Sequence, residues 1–224
     1  MSPDFPESIV RDAAGDGLRV LYHGTGNMAS IDAFDPAMTG HGNDQSGSGF
    51  YFTDRLETAE SYTLRRVNSE TPKMGGEDDP GVICVHLDLR KPIVVAGDQR
   101  YFDRVQLSIR TVRKIILASP FITNRETTPL WNWIDINGMD DAALKRAAAD
   151  LAVHYCGEAT SLFSLENDFY PGRASEFRAA LRDATGYDGV IVHFDDETHY
   201  VAWFPEQIAI VDRMPRPPLS GMAP

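Results

Sequence analysis

Alternation of apolar and polar side chains predicts β-strands at both ends of this chain. Residues 83–89 alternate most regularly, with apolar side chains at every second position, as in a strand with one buried face. Shorter apolar segments predict the other strands, at 18–22, 49–52, 93–96, 189–194, 200–204 and 208–211. The strands are therefore expected to enclose a long central segment of different character.

Helical periodicity dominates that central segment, residues 101–185. Its clearest helix begins near Asp140 and carries an apolar stripe as far as Tyr155. A second helix spans 174–184 and is followed by Gly186, since glycine is the residue that typically ends a helix. Strands at both ends with helices between them predict an α+β fold built on antiparallel sheet.

Capping, glycine and proline residues predict where a further helix, the loops and a flexible end lie. Asp54 with Glu57 three residues later matches a capping box for a short helix. Gly-rich residues 39–49 and the acidic, Pro- and Gly-containing segment 68–81 predict loops. We expect one domain over residues 1–212, with a helical insertion at about 100–185. Residues 213–224 hold four prolines in twelve positions and predict a flexible tail.

Charge and composition exclude several classes of protein. The 224 residues carry 33 acidic against 21 basic side chains, a net charge of -12, which argues against a passive nucleic-acid binder. Two cysteines are too few for a disulfide scaffold, and no histidine or cysteine spacing predicts a metal site. The N-terminus resembles no signal peptide, and no apolar run approaches the roughly 18 residues of a membrane span. We expect a cytoplasmic protein, or one delivered by a non-classical route.

The first motif with chemical content is Tyr22-His23-Gly24-Thr25. A histidine at the end of a strand presents its imidazole at an edge, and the glycine lets a ligand approach the main chain. The backbone N–H and C=O there would suit a planar carboxamide. Taken alone, the motif is more typical of a strand-to-loop turn with a surface histidine.

The second motif is the aromatic run 47–54, opened by glycines. Tyr51 lies in this run, and Tyr62 follows eleven residues later on the predicted short helix. Two facing tyrosines suit a flat, electron-poor ring, because aromatic stacking adds about 0.5–1.5 kcal/mol beyond area burial. Both tyrosines are also compatible with ordinary core packing.

Two hydrophobic strand segments, 187–192 and 200–208, form the third motif. Together, the motifs at 22–25, 47–53, 59–62, 187–190 and 200–208 resemble the ADP-ribosyltransferase superfamily. The resemblance is to the branch with a His-Tyr-Glu type triad, which includes diphtheria toxin and poly-ADP-ribose polymerases. It is strongest to the phage and polymorphic-toxin members. It covers about 22–96 and 187–211 and leaves out the helical middle.

This resemblance implies a split antiparallel β-sheet with NAD bound, as a substrate, in the cleft. Carried over, His23 would bond the nicotinamide-side ribose hydroxyl, and the Gly24 backbone would hold the carboxamide. Thr25 would reach toward the adenosine ribose. Tyr51 and Tyr62 would sandwich the nicotinamide ring.

The third triad position departs from the family pattern. A glutamate is expected immediately before the Tyr-Val strand, but this chain has His199 there. Glu197 lies two residues earlier and would share the same strand face. Glu206 and Gln207 follow the strand, and a bend at Pro205 would be needed to bring them close. His199 and Gln207 both stay candidates, since either side chain bonds a ribose hydroxyl, although each is a poorer base than glutamate.

The resemblance implies a mono-ADP-ribosyltransferase acting as a toxin or effector on a macromolecule, with protein favoured over nucleic acid as acceptor. A cognate immunity or inhibitor protein would be a natural partner. Two alternatives stay open. The departure at the third position suits an inactive module that binds NAD or ADP-ribose. The same cleft would also serve an NAD glycohydrolase or a tRNA 2′-phosphotransferase-like enzyme.

Overall fold

A computed structural model describes residues 5–39, 48–63, 79–96 and 104–215. Most of the predicted loops at 39–49 and 68–81, and the tail beyond residue 215, lie outside the described residues. The described parts contain nine strands and five α-helices.

Seven strands form one sheet, in the spatial order β4-β7-β8-β2-β1-β3-β9. Neighbouring strands are antiparallel except for the parallel pair β4–β7, which confirms the predicted α+β class. The bounds of these strands are β1 Leu21–Thr25, β2 Phe50–Thr53, β3 Gly81–Leu87, β4 Ile93–Ala96, β7 Gly189–His193, β8 Thr198–Ala202 and β9 Ile208–Pro215. The long central segment thus separates the strands of one sheet.

The central segment is mainly helical, as its periodicity predicts. The helix near Asp140 is present, and the Asp140 carboxylate caps it by accepting a hydrogen bond from Ala143 N at 2.7 Å. Gly186 ends the last helix with a φ of 79°, the left-handed conformation that favours glycine. The helices are α1 Leu56–Tyr62, α2 Ile109–Ala118, α3 Asp141–Leu151, α4 Leu162–Phe169 and α5 Ala174–Thr185.

The two faces of the sheet carry separate hydrophobic cores. Alternate residues of β7 and β8, such as Val190 and Val201, pack against the helical insertion. The intervening residues, such as Ile191 and Tyr200, pack with Phe34 on the opposite face. This division follows from the two-residue period of a strand. It also assigns each strand residue near the site to one face.

The structure differs from three sequence predictions because packing adds partners that a local pattern does not reveal. Residues 83–87 are buried on both faces apart from the half-buried His86, since α1 contacts β3 on the face opposite Ile83. The strand β9 runs through Pro215, so 213–215 belong to the sheet rather than to a tail. An antiparallel pair, β5 Arg104–Leu107 and β6 Gly157–Ser161, lies inside the predicted helical insertion.

Asp54 does not cap the short helix, contrary to its capping-box pattern. The helix α1 begins after Arg55, with no side-chain cap. The Asp54 carboxylate instead accepts hydrogen bonds from Thr198 N at 2.8 Å and from Arg19 Nη1 at 2.9 Å. These long-range partners engage both of its oxygens. Asp54 therefore joins the start of β8 to the end of β2.

Candidate functional site

The central sheet opens between β1 and β2. β1 pairs with β3 over five consecutive residues, but with β2 only at Tyr22, opposite Thr53. Beyond that position the two strands diverge in the described register. Among the described residues, the edge of β1 that faces β2 has no strand partner beyond Tyr22. The sheet is split where the first and second motifs meet.

His23 bridges this split. Its Nδ1 lies 2.9 Å from the carbonyl oxygen of Tyr51, and its ring packs against Phe34 and Phe52, with centroids 5.2 and 5.7 Å away. A carbonyl only accepts, so Nδ1 carries the proton and Nε2 presents a lone pair. Burial lowers the pKa of His23, and the bond to the carbonyl offsets part of that shift. The ring is thus a neutral acceptor at the split.

Gly24 leaves no room for a side chain. A β-carbon on Gly24 would lie 1.9 Å from the carbonyl oxygen of Ala59 and 3.1 Å from Cβ of Tyr62. The helix α1 therefore packs directly on the β1 backbone, and Tyr62 lies beside Gly24. The glycine has a packing reason in addition to any contact with a ligand.

Tyr51, Tyr62 and Gly24 share one face of the sheet. Tyr22 and Thr53 are paired, so the residues two positions away, Gly24 and Tyr51, point to that same face. Tyr62 is 41% exposed. The structure therefore places Tyr51 and Gly24 on one face of the sheet, with Tyr62 beside Gly24.

Thr25 ends β1, opposite Gly81. Its Oγ1 accepts a hydrogen bond from Asn27 N at 3.2 Å and is partly buried. The hydroxyl thus stabilises the turn after the first motif. It lies two residues along the strand from His23, at the same edge of the split.

His199 lies on the site face, opposite Thr53 of β2. Its Nε2 is 3.1 Å from Oε1 of Glu197, and the ring of Phe194 lies edge-on at 4.8 Å. Tyr51 lies on the adjacent strand β2 and is the diagonal neighbour of His199. Diagonal neighbours in an antiparallel sheet are roughly 7–8 Å apart. Position 199 is therefore within reach of a ligand held by Tyr51.

Glu197 is held by two threonines that sequence reasoning did not identify as site residues. Its Oε2 accepts hydrogen bonds from Thr58 Oγ1 at 2.6 Å and from Thr53 Oγ1 at 3.3 Å. Thr58 lies on α1 and Thr53 ends β2, so the carboxylate connects three elements. The sequence signal for this role is weak: Thr53 lies in the motif at 47–53, and Thr58 lies in the helix that follows it.

Gln207 is not brought to this site. Its Oε1 accepts from the backbone N–H groups of Trp203 and Phe204, at 3.0 and 2.9 Å. Its Nε2 donates to the carbonyls of Asp88 and Asp188, at 3.1 and 2.8 Å. These four bonds use the full capacity of the amide. Gln207 is buried beyond the other end of β8 from His199, where it connects three chain segments.

The remaining third-motif residues also have packing roles. Glu206 is exposed and lies 3.6 Å from Arg182 in a surface ion pair. Asp188 accepts hydrogen bonds from the backbone N–H groups of Arg90 and Lys91. A β-carbon at Gly189 would lie 2.6 Å from the carbonyl oxygen of Val201. This motif therefore stabilises the sheet that carries the site.

Across the described parts of the chain, no group of three or more potential metal ligands lies together. The helices described there include none long and apolar enough to cross a membrane.

Comparison with known proteins identifies the family. A family model described as ADP-ribosyltransferase in polyvalent proteins matches residues 12–213, which include the split sheet, the site residues and the helical insertion. No curated protein matches significantly. The match extends the resemblance from the separate motifs to nearly the whole chain.

Proposed function

Because the chain belongs to the ADP-ribosyltransferase family of polyvalent proteins, we propose that it cleaves NAD and transfers ADP-ribose to a macromolecule. The observation that carries this proposal is the divergence of β1 from β2 at Tyr22, with the His23 ring bridging the gap to Tyr51. This split exposes strand backbone and an imidazole acceptor at one place.

The nicotinamide ring fits between the two tyrosines in this proposal. The Gly24 backbone on the open side of β1 would bond the carboxamide, and Tyr51 and Tyr62 would stack on the ring. Offset stacking adds about 0.5–1.5 kcal/mol per pair beyond buried area. Thr25 would approach the adenosine ribose from the same strand.

His23 would accept a hydrogen bond from a ribose hydroxyl through Nε2. Its hydrogen bond to the Tyr51 carbonyl orients the ring, and its lowered pKa keeps Nε2 unprotonated near neutral pH. A protonated ring would offer only donors there. The neutral ring therefore matches a hydroxyl donor.

The reaction breaks the bond between C1′ of the ribose and the nicotinamide nitrogen. The bonding electrons leave with nicotinamide, which becomes neutral, while C1′ gains oxocarbenium character. The acceptor's lone pair then forms the new bond to C1′, and its proton passes to a base. Holding ring, ribose and acceptor in line supplies much of the barrier reduction in such reactions.

We propose a toxin or effector role, with a protein acceptor. The net charge of -12 favours a basic partner over nucleic acid. An immunity or inhibitor protein would be the corresponding partner. The helical insertion, which packs beside the site strands β7 and β8, is the element best placed to shape acceptor access.

Incubation with labelled NAD, alone and with cell lysate, tests the proposal. We expect release of nicotinamide and label covalently bound to protein. Absence of nicotinamide release under both conditions would overturn the proposal that the chain is an enzyme. Release without transfer would identify a glycohydrolase, and NAD binding without release would identify a binding module. The histidine at the third position is the observation that favours the binding module.

A further inference from the structure

The site contains a carboxylate displaced by two residues from the family's glutamate position. His199 occupies that position, and Glu197 lies against it, with Oε1 3.1 Å from Nε2. Both side chains are partly buried, with 24% of His199 and 19% of Glu197 exposed. The histidine and the carboxylate thus form one unit on the site face.

Glu197 cannot easily turn away from His199. Its other oxygen, Oε2, is held by Thr58 of α1 and Thr53 of β2. Each hydroxyl donates to this oxygen, which leaves Oε1 directed at the imidazole. A carboxylate fixed from two elements keeps its charge beside the ring.

The pairing determines which ring nitrogen faces a substrate. A carboxylate only accepts, so Nε2 carries the proton and Nδ1 keeps its lone pair. Nε2 is buried and lacks an aligned hydrogen-bond partner in this ligand-free arrangement, with Oε1 as its neighbouring acceptor. Catalytic hydrogen bonds are often poorly aligned until a ligand binds. Among the described residues, nothing hydrogen-bonds to Nδ1.

We infer that Glu197 and His199 act as a dyad that replaces the family's glutamate, an inference that rests on the proposed NAD cleavage. His199 is the catalytic residue, because Nδ1 contacts the ribose hydroxyl or the acceptor. Glu197 is a positioning residue that acts through His199. The dyad carries one negative charge, as a single glutamate does.

The transfer step balances with the dyad as base. The acceptor's lone pair forms the bond to C1′ as the bond to nicotinamide breaks. The acceptor's proton moves to Nδ1 of His199. The resulting imidazolium donates from Nε2 to Glu197, whose charge stabilises it. The dyad later releases the proton to water.

Two variants test the dyad in the full chain. H199Q keeps a hydrogen-bonding side chain but accepts no proton, so kcat for nicotinamide release should fall roughly 10²–10⁴-fold. E197Q retains acceptors for the threonine hydroxyls but loses the charge, and kcat should fall roughly 10–100-fold with little change in KM. E206Q, the same change at an exposed ion pair, is the matched control and should match wild type.

The double variant H199Q/E197Q separates a dyad from two independent residues. Residues that act together lose little more when both are changed, so the double variant should match H199Q. Additive losses would overturn the dyad. So would a severe loss in E197Q with normal activity in H199Q, because Glu197 would then contact the substrate itself.

Nuclear magnetic resonance tests the same contact without catalysis. With the chain saturated by NAD, the Nε2 proton of His199 should exchange slowly with water, and this resonance should vanish in E197A and H199Q. Its absence in wild type, or its persistence in E197A, would overturn the dyad. If wild type releases no nicotinamide, the proposed function fails, and the same measurement with uncleaved NAD bound still decides the contact between Glu197 and His199.

Discussion

Nδ1 of His23 lies 2.9 Å from the carbonyl oxygen of Tyr51 and ties together two strands at the point where they separate. In a continuous sheet that carbonyl would face a neighbouring backbone N–H. Here an imidazole takes that place, because β1 and β2 pair only at Tyr22 and Thr53. One contact therefore satisfies the Tyr51 carbonyl at the opened strand and orients the imidazole ring of His23.

Replacement of His23 by alanine should abolish this orientation. We expect nicotinamide release to fall roughly 100-fold or more, since a displacement of about 1 Å in a bound substrate costs that much. The measurement is kcat/KM with NAD. H154A is the matched control, because His154 is exposed and stacks on Trp133 in the helical insertion. Normal activity in H23A would contradict the proposed role.

Folding stability should decrease in acid because of two histidines. Burial lowers the pKa values of His23 and His86 below 6.5 in the folded chain. The unfolded chain therefore takes up protons at a higher pH than the folded chain does. The contribution of these two histidines to folding stability is fully present above about pH 6.5. It is lost as the pH falls through their pKa values in the folded chain. Urea unfolding at pH 7.5 and 5.5 should show a smaller difference for H23Q and H86Q than for wild type.

Gly24→Ala should destabilise the fold, because the new methyl group would overlap the carbonyl of Ala59. Forced overpacking of this kind costs about 1–3 kcal/mol. Thermal unfolding is the measurement, and V153A, at a position that is 56% exposed in the helical insertion, is the control. An unchanged melting temperature for G24A would show that α1 can move away from β1.

Gln207→Ala should reduce stability without a specific effect on catalysis. It leaves two backbone N–H groups and two carbonyls without their partner, for a loss of about 3 kcal/mol or more. Nicotinamide release per folded molecule should stay within about threefold of wild type, well under the smallest loss expected of a base. A large fall in kcat for a stably folded Q207A chain would return Gln207 to the list of catalytic candidates.

Tyr62→Ala should weaken NAD binding by removing one wall of the ring site. Loss of a stacking pair costs about 0.5–1.5 kcal/mol, so KM for NAD should rise up to roughly tenfold. Y62F keeps the ring and should retain nearly normal KM. Equal KM values for Y62A and wild type would contradict the stacking arrangement.

Local patterns predicted the fold well where local forces decide it. The strand predicted at 83–89 and the helix after Asp140 both have structural counterparts, in β3 and α3, although β3 is buried on both faces rather than on one. The capping-box pattern at Asp54 wrongly predicted that its carboxylate caps α1. Its carboxylate bonds Thr198 and Arg19, which are distant in sequence and invisible to a local pattern.

Some residues of the candidate site could be recognised from the sequence, and others only from the assembled sheet. His23, Gly24 and Tyr51 stand out in the sequence, since their motifs are compact and their order matches a family. The choice between His199 and Gln207 required the sheet. The two residues are eight positions apart, and only the turn after β8 shows that the Gln207 amide is fully bonded elsewhere.

The amino-acid sequence by itself determined the α+β class, the family and the residues at the opening of the first strand, because each depends on short segments read in order. Tertiary structure alone decided where β1 and β2 separate, that Gln207 is a packing residue, and that Glu197 lies against His199. Those results depend on contacts between segments up to 144 residues apart, such as Thr53 and Glu197. Hydrogen bonds of that kind form only when the whole sheet is assembled.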